Sequence, residues 1–163
     1  MDDATPLGTL ATEIGHWLHA RGWLLATAES CTGGGISAAI TAIPGSSAWF
    51  DCGFVTYSYA AKTRLLDVPH SLLERVGAVS EAVVEAMVRG ALAHSSAQVA
   101  VAVSGIAGPS GGQPGKPVGT VCFAWAWPDR PVRSETCRFD GDRARIQAQA
   151  VRHALRGLRP PAG

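Results

Sequence analysis

A serine and a cysteine, Ser30 and Cys31, stand immediately before a run of three glycines in the stretch TAESCTGGGIS, residues 27–37. Glycines let the backbone turn tightly, and they let its amides approach a ligand closely. A hydroxyl or a thiol on such a turn could act as a nucleophile. The same pattern would also suit a tight turn that packs a helix against a sheet. It matches neither a Walker A loop nor a Rossmann fingerprint, and it is not a G-x-S-x-G elbow.

A serine hydroxyl becomes a useful nucleophile only when a base removes its proton. No histidine lies inside the glycine-rich motifs, but Lys62 closes the stretch TYSYAAK, where Ser58 can cap a helix. A neutral lysine can replace histidine as the base, although its pKa must fall from about 10.4 to about 7–8, at a cost of roughly 4 kcal/mol that burial can impose. The amides of residues 33–35 would then stabilise the oxyanion. A solvated surface lysine remains the alternative.

A second glycine-rich segment, GIAGPSGGQPGKP at residues 105–117, follows the strongest strand pattern of the chain, VAVAVS. A loop of this length in a compact domain is more often functional than not. Ser104 offers a hydroxyl beside it, and the backbone at Gly105 and Gly108 can approach a ligand. Both glycine-rich loops are predicted to leave a strand at its carboxyl end, which is where sites gather in α/β sheets.

These motifs need a scaffold, and the hydrophobic periodicity predicts one. Strands are expected at residues 23–28, 49–57, 99–104, 118–126 and 132–139. Helices are expected at residues 7–20, 33–43, 59–66, 71–75, 79–95 and 143–158. Strands and helices alternate along the chain until the last two strands, which are expected to form a hairpin. The order therefore predicts an α/β fold, a three-layer α/β/α sandwich around a mixed sheet.

Composition limits the possible functions. The 163 residues suit one domain, and the 47% hydrophobic and 17% charged residues indicate a well-buried core. A net charge of +1 gives no reason to expect a nucleic acid partner. The start MDDATPLG does not resemble a signal peptide, and no apolar run is long enough to span a membrane, so a cytoplasmic protein without membrane contact is expected. The four cysteines form no C-x-x-C pair, so free thiols and no metal site are expected.

Seven motifs in order resemble the CinA C-terminal domain family, the nicotinamide-nucleotide amidases that deamidate nicotinamide mononucleotide. They are AESCTGG, GSSAWFDCGFVTYS, the following lysine, GAVSE, SGIAGPSGG, KPVGTVCFAWA and FDGDR. The match extends over residues 7–158 and is similar to the standalone form, without the larger N-terminal domain of some relatives. It implies one amidase domain over residues 1–163, an α/β/α fold and a homo-oligomer.

The resemblance also implies a site. Ser30 falls on the nucleophile, Lys62 on the family's lysine and Tyr57 on the tyrosine of the Y-S-N motif, so all three are expected to be catalytic. No metal or redox cofactor is implied. The predicted contacts with nicotinamide mononucleotide are Thr32, Gly33, Gly34, Ser104, Gly105, Gly108 and Arg143. The resemblance does not supply the contact with the phosphate; we expect Arg143 and the backbone amides of residues 105–112 to make it, because both donate to anions.

Two positions depart from the family pattern, Tyr59 in place of asparagine and Ala60 in place of glutamate. They leave the serine and the lysine untouched but put in question any substrate contact of that asparagine. They favour one alternative, a nucleotide-binding or competence-linked regulatory module without catalysis. A second alternative is a cysteine hydrolase that uses Cys31, which also lies near a helix N-terminus.

Overall fold

A computed structural model describes residues 5–159 of the chain. Residues 1–4 and 160–163 lie outside the described residues. The prediction that the chain does not start with a signal peptide rests in part on residues 1–4. Within residues 5–159, no helix combines the length and the apolar character that crossing a membrane requires.

The predicted elements all form, in the predicted order. The helices are α1 Leu7–His19, α2 Gly35–Thr41, α3 Tyr59–Leu66, α4 His70–Val76, α5 Glu81–Ala93 and α6 Arg143–Gly157. The strands are β1 Leu25–Glu29, β2 Phe50–Val55, β3 Val99–Gly105, β4 Thr120–Ala126 and β5 Arg133–Arg138.

The five strands form one mixed sheet in the order β2-β1-β3-β4-β5. Strand β1 pairs in parallel with both β2 and β3, whereas β4 is antiparallel to both β3 and β5. The carboxyl ends of the three parallel strands therefore meet at one edge of the sheet. Each of these strands continues into one of the motifs identified above.

Helices cover both faces of the sheet, which confirms the predicted α/β/α fold. Alternation along β3 shows why two layers are needed: Val101 and Val103 face one core, and Ala100 and Ala102 face the other. The valine face packs on α1, α2 and α6, and the alanine face packs on α3, α4 and α5. Because both faces are apolar, neither helical layer can be removed without exposing the core to water.

Glycine conformation moves two predicted boundaries. Helix α2 begins at Gly35 rather than residue 33, because Gly33 and Gly34 have φ angles of 58° and 99°. Strand β4 begins at Thr120 rather than residue 118, because Gly119 has a φ angle of 93°. Positive φ values lie outside both the right-handed helical and the extended regions, so these residues form turns instead.

The contact between α3 and α5 depends on a missing side chain. A Cβ atom at Gly90 would lie 2.0 Å from the Leu66 carbonyl oxygen, whereas a Cβ atom at Gly8 would meet nothing within 4 Å. We expect Gly90→Ala to lower the free energy of unfolding by about 1–3 kcal/mol, because the two helices must separate. The matched control Gly8→Ala should raise it by about 0.5–1 kcal/mol through helix propensity. Urea denaturation measures both, and equal effects would contradict this packing.

Candidate active site

Ser30 follows directly on β1, at the edge where the parallel strands end. Its amide donates to the carbonyl of Val103 on β3 at 3.1 Å, and its own carbonyl accepts from the amide of Gly33 at 3.0 Å. The first bond fixes the residue beside β3, and the second closes the tight turn. Ser30 is largely buried, with 7% of its surface exposed. The turn thus holds the hydroxyl at the rim of the sheet.

Lys62 reaches Ser30 from the first turn of α3. Helix α3 begins as predicted, because the Ser58 hydroxyl accepts from the Ala61 amide at 3.0 Å. The ammonium nitrogen lies 2.9 Å from Ser30 Oγ and 2.7 Å from the carbonyl oxygen of Thr56. Only 1% of the lysine is exposed, and this burial lowers its pKa to about 8. The pair therefore has the contact and the basicity that proton transfer requires.

Glu29 holds the turn in place through hydrogen bonds, a role that the sequence analysis missed. Its carboxylate is fully buried and accepts four hydrogen bonds, from the Thr32 hydroxyl, the Ile36 amide, and the amide and hydroxyl of Ser37. Two of these donors are amides at the N-terminus of α2, where a carboxylate is favoured. A glutamate at the end of an otherwise apolar strand was the available signal, because an acid is rarely buried unless it is satisfied.

The predicted oxyanion donors need correction. The amides of Gly33 and Gly35 donate to the carbonyls of Ser30 and Thr32, so neither is available to a substrate. The Thr32 hydroxyl is likewise engaged, because it donates to Glu29 at 2.7 Å. Within residues 5–159, the amides of Thr32 and Gly34 have no acceptor. Of the three predicted donors only Gly34 therefore stays available, and the amide of Thr32 joins it.

Arg143 contacts two other predicted site residues, Tyr57 and Gly108. This first residue of α6 follows Asp142, whose side chain caps the helix by accepting from the Arg145 amide at 2.9 Å. Its Nη1 donates to the Gly108 carbonyl at 2.8 Å, and its Nη2 donates to the Tyr57 hydroxyl at 3.0 Å. Tyr57 is 62% exposed and contacts Arg143 through its hydroxyl. This contact favours a role in binding over a role in proton transfer.

Ser104 and Gly105 end β3 beside the turn. Ser104 is buried, and a Cβ atom at Gly105 would lie 2.7 Å from a methyl group of Val121. The glycine is thus explained by the close approach of β3 and β4. The following loop is anchored to the sheet, because Ile106 exchanges hydrogen bonds with Thr120 and Gly119 on the β4 side.

Gln147 is a second residue that the sequence analysis missed. Its Nε2 donates to the Cys31 carbonyl at 2.8 Å, across a separation of 116 residues. It lies one helical turn after Arg143, so both side chains project from the same face of α6. Arg143 contacts Gly108 and Tyr57 from this face, and Gln147 contacts Cys31. The bond ties the backbone next to Ser30 to the helix that carries Arg143.

The neighbouring thiol of Cys31 is less suited than Ser30 to act as the nucleophile. Cys31 is 3% exposed, and burial raises the pKa of its thiol to about 12. The reactive form of cysteine is the thiolate, which is scarce at neutral pH when the pKa is so high. The raised pKa of Cys31 therefore favours Ser30 over Cys31 as the nucleophile.

The two positions that depart from the family pattern lie on the outer side of α3. The Tyr59 ring packs edge-on against His70, with 6.5 Å between the ring centroids, and Ala60 is exposed. Within the described residues, no hydrogen bond joins the side chain of Tyr59 to Ser30 or Lys62, whose side chains bind each other and the Thr56 carbonyl. The departures therefore leave the serine–lysine contact intact.

Comparison with known proteins gives one consistent group. A family model described as "CinA C-terminal domain" matches residues 7–161. A protein of Pseudomonas putida named nicotinamide-nucleotide amidohydrolase PncC is 60% identical over 153 residues, which cover 94% of this chain and 95% of that protein. The protein of the same name from Escherichia coli K12 is 49% identical, over 91% of this chain and 90% of that protein.

Solved structures agree with this grouping. A CinA superfamily protein from Klebsiella pneumoniae 700603 aligns with a TM-score of 0.90 and 44% identity, covering 94% of this chain and 96% of that one. A competence/damage inducible protein from Agrobacterium tumefaciens aligns with a TM-score of 0.91 and 43% identity, over 97% of both chains.

The buried lysine makes stability depend on pH in a way that can be measured. The pKa of Lys62 falls from 10.5 to about 8 on folding, so below pH 8 the folded protein carries the full cost of a buried ammonium. That cost disappears as pH rises from about 8 to 10.5, because only the unfolded chain then keeps the proton. We expect the stability of the wild type to rise by about 3 kcal/mol relative to Lys62→Met over this window. Parallel urea titrations at pH 7 and 10.5 measure the change, and a constant difference would contradict it.

Proposed function

Because the chain belongs to the CinA C-terminal domain family, we propose that it is a nicotinamide-nucleotide amidase that uses Ser30 and Lys62. The reaction converts nicotinamide mononucleotide and water to nicotinate mononucleotide and ammonia, a step of pyridine nucleotide recycling. The names of the relatives at 49–60% identity support the activity. The observation that carries the mechanism is the 2.9 Å contact between Ser30 Oγ and a buried lysine nitrogen whose pKa lies near 8.

The first chemical step is attack of Ser30 Oγ on the carboxamide carbon. The neutral amine of Lys62 has two N–H bonds and one lone pair. One N–H can remain on the Thr56 carbonyl, 2.7 Å away, which leaves the lone pair free to accept the serine proton. The unengaged amides of Thr32 and Gly34 act as an oxyanion hole, which stabilises the negative charge that develops on the carboxamide oxygen.

The second step releases ammonia and the third releases the acid. The protonated Lys62 gives its proton to the departing nitrogen as the tetrahedral intermediate collapses to an acyl ester on Ser30. A water molecule then attacks the ester and gives a proton to Lys62, and Lys62 returns this proton to Ser30 Oγ as the ester bond breaks and nicotinate mononucleotide leaves. One lysine can play both parts because its pKa near 8 lies close to neutral pH.

The nucleotide part of the substrate needs an anion site, and Arg143 is the proposed one. A guanidinium has five N–H donors, and the contacts to Gly108 and Tyr57 use two of them. The remaining donors can take phosphate oxygens, with the exposed Tyr57 ring beside them. Ser104, Gly105 and the loop that follows remain candidates for contacts with the substrate, the backbone amides of the loop with the phosphate. The proposal requires no metal or redox cofactor, and a homo-oligomer remains a prediction.

Replacing Ser30 should abolish the reaction, whereas replacing its neighbour should not. We expect Ser30→Ala to lower the turnover number by several orders of magnitude, because it removes the attacking atom. Cys31→Ala should keep most of the turnover, since the thiol is protonated and buried. Ammonia release from nicotinamide mononucleotide measures both. An inactive Cys31→Ala beside an active Ser30→Ala would refute the serine mechanism.

Lys62 can be tested as a base by a change that keeps its charge. Lys62→Arg retains a cation but cannot give up its proton near neutral pH, so we expect it to be as inactive as Lys62→Ala. The control Arg64→Ala, an exposed position on the same helix, should leave turnover unchanged. In the wild type, kcat/KM should rise with pH up to about pH 8, as the amine becomes neutral.

Binding measurements separate this mechanism from its competitors. Calorimetry with nicotinamide mononucleotide should show that the Ser30 and Lys62 variants still bind. Near-normal turnover by Lys62→Arg would remove the lysine from the base role. Nucleotide binding by the wild type without any ammonia release would favour the non-catalytic binding module.

A further inference from the structure

Three side chains with metal-binding donors converge on the face of the sheet that packs on α6. Glu135 and Cys137 are two residues apart on β5, so they point to the same face, and His153 meets them from α6. The carboxylate oxygen, the sulfur and the ring nitrogen all lie within 4.8 Å of one another. The cluster is three strands away from β1, or about 14 Å across the sheet, so it is separate from Ser30.

The arrangement does not suit a cysteine nucleophile. Cys137 Sγ lies 3.4 Å from His153 Nε2, and Glu135 Oε1 lies 2.5 Å from the same nitrogen. A catalytic relay needs the nucleophile on one ring nitrogen and the acid on the other. Burial also raises the pKa of Cys137 to about 11, so the free thiol is protonated at neutral pH.

We propose that Glu135, Cys137 and His153 form a binding site for a divalent transition metal ion, with zinc as the best match. Imidazole, thiolate and carboxylate are the ligands that zinc takes in proteins, and tetrahedral geometry places a zinc-bound nitrogen and sulfur about 3.5 Å apart. The observed separation of 3.4 Å already meets this requirement. The carboxylate must move away from the nitrogen by about 0.8 Å to make room for the ion. Glu135 is 39% exposed and can do so.

The histidine is fixed in position before any ion arrives. Its ring lies against three aromatic rings, with centroid distances of 4.7 Å to Phe123, 5.9 Å to Trp125 and 5.9 Å to Phe139. Packing on this side turns Nε2 toward β5. Two of the three donors therefore belong to one strand, and the third belongs to a ring that core residues hold in place. Because the donors are already ordered, less conformational entropy is lost when a metal ion binds.

The surrounding charge fits a neutral complex. Arg133, Arg156 and Arg159 line the same shallow cavity as Glu135 and His153. Arg133 lies 4.3 Å over the Trp125 ring, and Arg159 pairs with Glu13 at 3.9 Å. A thiolate and a carboxylate cancel the two positive charges of the ion, so the occupied site is itself neutral beside the arginines. Binding releases the thiol proton, and affinity should therefore rise with pH.

Cobalt(II) provides a direct test, because a tetrahedral cobalt–thiolate bond gives charge-transfer and visible absorption bands that oxygen ligands alone do not. The wild-type protein, first stripped with a chelator, should bind one Co²⁺ per chain with both sets of bands, and Zn²⁺ should displace it. Cys137→Ser should lose the charge-transfer band and bind at least about 100-fold more weakly, since losing a supporting partner alone costs up to that much. The matched control Cys52→Ser, on the opposite edge strand, should behave as the wild type does.

Further measurements keep the test decisive. Glu135→Gln changes a half-exposed side chain without reducing its size, so it should fold normally and still weaken Zn²⁺ binding at least tenfold. Ammonia release should survive the chelator, whereas the melting temperature should rise when Zn²⁺ is restored. Absence of the charge-transfer band in the folded wild type, or its persistence in Cys137→Ser, would overturn the site. Zn²⁺ binding that Glu135→Gln leaves unchanged would remove the carboxylate from it.

Discussion

The central constraint in this molecule is an ammonium group held out of water. Within the described residues Lys62 forms no salt bridge, and its nitrogen is bound only by a hydroxyl and a carbonyl oxygen. Desolvation of the charged form is what depresses its pKa, and a nearby carboxylate would reverse that effect. The one buried acid of the turn, Glu29, is instead occupied by the N-terminus of α2 and by two hydroxyls. The fold thus keeps an acid and a base under one turn without letting them neutralise each other.

The mixed sheet explains how these groups reach the same place. Parallel pairing of β1, β2 and β3 brings three strand ends to one edge. Helix α2 returns the chain from β1 to the start of β2, and helices α3, α4 and α5 return it from β2 to the start of β3. The antiparallel strands β4 and β5 then carry the chain back so that α6 begins at that edge. Its first two turns add Arg143 and Gln147 to a turn encoded more than a hundred residues earlier. Residues of the proposed active site that lie far apart in the chain thus come together through strand direction.

Much of the fold and part of the candidate site could be predicted from the sequence. The features that could not be predicted depend on details of three-dimensional contact. Local signals placed every helix and strand, and the cap at Ser58 located the turn of helix from which Lys62 projects. The amides of Gly33 and Gly35 were misassigned because a run of glycines indicates a turn without specifying which of its amides the turn itself uses. Glu29, Gln147 and the Glu135–Cys137–His153 cluster were missed because each depends on a contact between elements distant in sequence. Composition and periodicity carry no information about such pairings.

Helix α6 also sets a limit on how the chain can change in length. Arg143 and His153 are ten residues apart, so the helix spaces them by about 15 Å and fixes the angle between them. One residue inserted between them would turn one end by about 100° relative to the other, and either the arginine or the histidine would leave its partners. The hairpin between β4 and β5 has no such restriction, because residues 128–131 lie at the surface beyond the ends of both strands. Insertions and deletions should therefore be tolerated at this hairpin and rejected along α6, so that differences in length among related chains mark which elements serve as fixed spacers.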